Sequence, residues 1–142
     1  MSIAMQATKY LKESDFDLYS REKAIHDVNT NFFVEAGAGS GKTTVMISRL
    51  VSMIENGIEL KKICVATFTN ASAGDLKSRL MEKLRERCVT TDENADSIIQ
   101  ERCKKALDIL ENRKTQEQCF IGTIHSYILL LLRRNVHKID IN

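Results

Sequence analysis

The stretch Ala36-Gly37-Ala38-Gly39-Ser40-Gly41-Lys42-Thr43-Thr44 constrains this chain more than any other part of it. It stands between a run of strand character, residues 31–36 (NFFVEA), and a helix expected over about 42–56. Glycines at 37, 39 and 41 allow positive φ, so successive backbone N–H groups can turn toward one point. The helix start adds partial positive charge there. Lys42 is placed to reach the β- and γ-phosphates of a nucleotide, and the Thr43 hydroxyl to ligate Mg²⁺. Against the pattern GxxxxGK[ST], Ala36 stands where the first glycine belongs, so the match is one residue short. The dinucleotide pattern GxGxxG fails at Lys42. Residues 36–44 therefore read as a nucleoside-triphosphate site, with a flexible glycine turn as the weaker alternative.

The rest of the composition sets bounds. A length of 142 residues with 43% apolar and 28% charged side chains is a globular balance, and it excludes disordered and collagen-like chains. A net charge of +2 neither supports nor excludes a nucleic-acid partner. The four cysteines, 64, 88, 103 and 119, form no CxxC pair and have no metal-ligand spacing; Cys64 and Cys119 sit in apolar runs and are expected to be buried. The first residues lack the apolar segment of a signal peptide. The longest apolar run, residues 127–132 (YILLLL), is far short of the ~20 residues that cross a bilayer. The expected compartment is the cytoplasm.

Periodicity places the remaining elements. A short helix over 4–11 is conceivable, and residues 20–28 read as a helix that Ser20 caps. In the helix after the glycine loop, Met46, Ile47, Leu50, Val51 and Ile54 form one apolar stripe, and Gly57 ends it. Residues 62–68 (KICVATF) read as a parallel strand covered on both faces. Asn70 is expected to cap a helix to about 87, with Ala73, Leu76, Leu80 and Leu84 inward. A helix over 92–112 would bury Ile99, Cys103, Ala106, Leu107 and Leu110; residues 118–123 follow as a strand and 124–134 as a helix. Alternating strands and helices predict an α/β layer fold with a parallel sheet.

Three stretches in order, AGAGSGKTT, VATFTNASAGDLKSRL and IGTIHSYILLLLRR, resemble successive motifs of the UvrD/Rep class of superfamily 1 DNA helicases. That class commonly has alanine where Ala36 stands. The long helical stretch at about 85–115 is similar to the insert of AddA- and RecB-like helicase–nuclease subunits. The resemblance covers about residues 18–140. It implies a P-loop NTPase motor domain of RecA-like fold, with a parallel sheet flanked by helices, and residues 1–142 as its first part. It implies ATP and Mg²⁺ as cofactors and single-stranded DNA as a partner, and a role in DNA repair or recombination. Thr67, Phe68, Thr69 and Asn70 would contact DNA, as would Thr123, His125 and Ser126. On its own the phenylalanine beside hydroxyl and amide groups can stack a base and bind phosphate, or it can be core filler beside a helix cap. Arg133 and Arg134 read equally as phosphate contacts or a solvated helix end.

One departure stands out. Arg21 occupies the place of the glutamine that reads adenine in the class; arginine has only donors, which puts preference for ATP over other nucleotides in question. Hydrolysis needs an acidic residue at the end of an apolar strand, and Asp92-Glu93 has no such strand before it. With no arginine finger and no second motor domain in sight, the chain reads as an N-terminal piece of a larger helicase. Alone it is expected to bind ATP weakly and to hydrolyse it negligibly. Its partners would be the remainder of that chain and a nuclease subunit. Because later strands of such motors lie between the phosphate-loop strand and the TFTN strand, the sheet is expected either to pair non-natively or to keep open edges and self-associate. A kinase-like or regulatory nucleotide binder without DNA function is the alternative; the TFTN and TIHS stretches speak against it.

Overall fold

A computed structural model describes residues 13–35, 37–89, 97–112 and 119–135. The chain divides into two units, Met1–Met53 and Ile54–Asn142. In the first, helix α1 spans Glu13–His26. It is tied along its surface by Asp17 with Arg21 at 2.8 Å, and Glu22 stands 3.3 Å from His26. Lys23 and His26 in the last turn face the negative end of the helix dipole. Ser20 thus lies inside the helix rather than at its start, because the charged turn before it continues the helical spacing. The expected helix over 4–11 lies outside the described residues.

Residues 31–35 form no strand. Their composition suits one, but no strand among the described residues pairs with them, and Phe33 is 91% exposed. A lone extended segment has no neighbour to take its backbone hydrogen bonds, so composition alone does not make a strand.

Helix α2 (Lys42–Glu55) forms as its periodicity requires. Ile47, Leu50, Val51 and Ile54 are buried, whereas Met46, placed in the same stripe by spacing, is exposed. Gly57 follows at φ +87°, the left-handed stop that glycine takes without a Cβ penalty.

The second unit continues with a 3₁₀ turn (Leu60–Lys62), strand β1 (Cys64–Thr67) and the long helix α3 (Asn70–Val89). Helix α4 (Ser97–Glu111), strand β2 (Phe120–Thr123) and helix α5 (Ile124–Asn135) complete it. Ala73, Leu76, Leu80 and Leu84 line the inner face of α3, and Cys103, Ala106 and Leu110 that of α4. These two helices pack together over the most tightly closed part of the core. Ile99 and Leu107 are only half-buried. α3 also packs on both strands.

β1 and β2 form a two-stranded parallel sheet, in register from Cys64 opposite Phe120 to Thr67 opposite Thr123. The sheet is smaller than the alternating pattern suggested. Its first strand is also not covered on both faces: Val65 is buried, while Cys64 and Ala66 are exposed. The expectation of a buried Cys64 therefore fails, and Cys119 is half-buried. Burial pushes the Cys119 thiol up to about 11, and the fully buried Cys103 to about 11 as well. Among the described residues, β1 and β2 pair only with each other. Among the described residues no helix is long and apolar enough to cross a membrane.

Candidate functional site

The glycine loop takes the shape its sequence demands. Gly39 and Gly41 have φ of +75° and +83°, in the left-handed region. The Ser40 N–H donates to the Gly37 carbonyl at 3.4 Å, and the Val45 N–H to the Gly41 carbonyl at 3.0 Å, which starts α2. Lys42 Nζ arcs back and donates to the Gly37 carbonyl at 2.6 Å. Ser40 Oγ is the one buried side-chain oxygen or nitrogen without a hydrogen-bond partner among the described residues. Such an atom costs free energy until something meets it. A phosphate oxygen in the loop would do so, and the residues present fit a bound nucleoside triphosphate. Ala38 lies in the loop turn, and Thr43 and Thr44 are exposed in the first turn of α2. Ala36 lies outside the described residues.

A cleft of about 410 Å³ adjoins the loop in the same unit, its walls including Arg21, Phe32, Phe33, Glu35, Ser40 and Lys42. Arg21 lies beside the loop: a Cβ added to Gly41 would stand 3.4 Å from its Nη1. Asp17 holds the other side of the guanidinium. Asp17 belongs to no motif, and its only signal in the sequence is the spacing of four that separates it from Arg21.

In the second unit the other two motifs meet. Because β1 and β2 are parallel and in register, the residues after Thr67 and after Thr123 leave the same edge of the sheet side by side. The Thr67 hydroxyl donates to the Thr69 carbonyl at 2.9 Å and lies 3.4 Å from the Gly122 carbonyl, which links the two motifs. Each motif then opens a helix, and the cap is the same in both. Thr69 Oγ1 accepts from the Ser72 N–H at 3.1 Å, and Thr123 Oγ1 from the Ser126 N–H at 3.2 Å. Each pair of hydroxyls is also bonded, at 2.8 Å and 2.9 Å. The cap of α3 is therefore Thr69 and not Asn70, which begins the helix itself. The cause is the threonine–x–x–serine spacing, which lets a hydroxyl reach the third N–H of the helix. That spacing also marks Ser72, a residue the motif itself does not single out. Thr123 is buried, and its hydroxyl serves the cap. Phe68 is 89% exposed, and Asn70, His125 and Ser126 are exposed too. Two capped helix N-termini side by side turn N–H groups and partial positive charge outward, beside a bare aromatic ring. The acidic pair Asp92-Glu93 lies outside the described residues.

The glycine loop opens one helix in the first unit, and the paired strand ends open two more in the second. The family model for the UvrD/REP helicase N-terminal domain matches residues 19–142, and the chain belongs to that family. Among its relatives, an ATP-dependent helicase/nuclease subunit from Clostridium botulinum (strain Loch Maree / Type A3) is 33% identical over 141 residues, 97% of this chain and 10% of its own length. A protein of the same name from Leuconostoc mesenteroides is 34% identical, covering 96% of this chain and 10% of its own. The exonuclease/helicase subunit RexA of Lactococcus lactis is 34% identical over 86% of this chain and 9% of its own. The chain thus spans about a tenth of the length of these curated relatives.

Proposed function

We propose that residues 1–142 form the first part of a RecA-like motor domain of an ATP-dependent DNA helicase that acts in DNA repair or recombination, with a helical insert at about 85–115. In this reading the backbone N–H groups of Gly37 to Gly41 and the Ser40 hydroxyl hold phosphate. Lys42 Nζ leaves the Gly37 carbonyl for the β- and γ-phosphates, and Thr43 ligates Mg²⁺. When bound, the Mg²⁺ neutralises phosphate charge. Arg21, with donors only, meets phosphate or stacks on the base and does not pair with it. The chain's own residues bind and orient the nucleotide; hydrolysis and stepping along DNA belong to the complete helicase, whose further partner is a nuclease subunit.

The single observation that carries the DNA half is the in-register pairing of Thr67 with Thr123. It supports one track for single-stranded DNA, in which phosphates meet the capped starts of α3 and α5 while a base stacks on Phe68. Asn70, His125 and Ser126 supply polar contacts, and Thr67, Thr69 and Thr123 hold the shape. Stacking on an aromatic ring contributes about 1–3 kcal/mol per base. Phe68→Ala is therefore expected to weaken binding of a fluorescent oligothymidylate by about tenfold to a hundredfold at low salt. The thermal midpoint should stay put, since the ring is almost bare. Unchanged affinity would remove Phe68 from the track and sink this reading of the TFTN motif.

A further inference from the structure

The cleft beside the phosphate loop has one wall with no secondary structure. Residues 27–35 lie between α1 and the loop without a helix or strand of their own. The turn at their start has local bonds: the Thr30 hydroxyl donates to the Asp27 carboxylate at 2.7 Å, and this holds the Asp27 carboxyl below its usual range. Beyond the turn, the anchor comes from α2. Arg49 Nη1 donates to the Ala24 carbonyl at 2.6 Å and the Asp27 carbonyl at 2.9 Å, and Nη2 to the Thr30 carbonyl at 2.9 Å. The guanidinium carbon also lies 5.1 Å from the centre of the Phe32 ring. No carboxylate pairs with Arg49 among the described residues; its partners are three carbonyls and a ring.

These contacts join all three walls. Ala24 and Arg21 belong to α1, Phe32 to the extended segment, and Arg49 stands two helical turns after Lys42, on the same side of α2. The Ala24 carbonyl lies in the last turn of α1, where backbone acceptors lack helical partners. We propose that Arg49 is a positioning residue for the nucleotide cleft: its planar fork fixes the end of α1 and the segment bearing Phe32 relative to the phosphate loop. Arg21 is thereby held beside Gly41. The inference rests on the nucleotide-binding reading above and adds to it a residue two turns beyond the glycine loop.

Lysine keeps the charge at this position but cannot serve three carbonyls and a ring from one planar group. The test uses the whole chain, titrated calorimetrically with Mg·ATP and, separately, with Mg·tripolyphosphate, for wild type and Arg49→Lys. The phosphate loop closes through its own bonds, so tripolyphosphate affinity should change less than about threefold, while ATP affinity falls about tenfold. Hydrogen exchange should speed up over residues 28–35 and not over 42–53. A second variant, Phe32→Leu, should lower ATP affinity in the same sense and leave tripolyphosphate alone. Equal ATP affinity in wild type and Arg49→Lys overturns the inference while leaving the nucleotide reading intact. So does an equal loss of both ligands with a lowered melting point, which makes Arg49 a fold residue only. A wild-type chain that binds neither ligand overturns both readings together.

Discussion

Replacing Lys42 by alanine is expected to abolish Mg·ATP binding by this chain while leaving it folded. The ammonium group already sits over the loop, donating to the Gly37 carbonyl at 2.6 Å. A short swing would bring it to phosphate oxygens. Hydrogen bonds to charged groups contribute about 1.5–3 kcal/mol each. Loss of two such bonds corresponds to a fall of about a hundredfold or more in affinity. The fold should tolerate the change, because residue 42 lies in the first turn of α2 outside its buried stripe, where alanine is an excellent helix former. Calorimetric titration with Mg·ATP, alongside far-ultraviolet circular dichroism, reads both halves of the expectation. Affinity within about threefold of wild type would mean that the lysine does not reach the phosphates.

The largest effect on stability is expected at Leu84. It is 0% exposed, with Leu80 at 1% beside it on the same face of α3. Truncating the side chain to a methyl group at so closed a position loses transfer free energy and leaves a cavity, at a cost of about 2–5 kcal/mol. Against a total of about 5–15 kcal/mol for a typical domain, that is a large share. The consequence reaches the site, because α3 begins at Asn70 beside Phe68, and its stripe is what pins it to α4. Urea unfolding of Leu84→Ala should show the midpoint falling steeply. Ile98→Ala, at a residue 54% exposed on α4, should shift stability by less than about 0.5 kcal/mol in the same assay. A loss below about 1 kcal/mol at Leu84 would mean that this interface closes over the gap, contrary to its packing.

The sequence made some parts of the molecule legible and hid others, for physical reasons. Helix α2 could be bounded at both ends, since GSGKT fixes its start and Gly57, at φ +87°, its stop. The stripe of α3 was equally plain, because a spacing of three and four leaves Ala73, Leu76, Leu80 and Leu84 on one side. Residues 31–35 have the composition of a strand and form none, because a strand is a property of two segments and composition describes only one. Cys64 misled for a related reason: an apolar run does not say which face of a two-stranded sheet a helix covers. The paired caps are readable in principle, as threonine and serine three apart, but Asn70 is itself a good cap and competes with Thr69 for that place in the sequence. Neither the register that sets Thr67 beside Thr123 nor the fork of Arg49 was open to sequence reading, since both join segments distant along the chain.

In the proposed function, a strand of DNA crosses the edge where β1 and β2 end. The most direct measurement is photocrosslinking of the chain to a bromodeoxyuridine-substituted single-stranded oligonucleotide, with adducts located by mass spectrometry. Adducts are expected on Phe68 and on His125 or its neighbours, suppressed by unlabelled single strand and far less by duplex. Adducts confined to Arg133 and Arg134, or equal suppression by duplex, would contradict it.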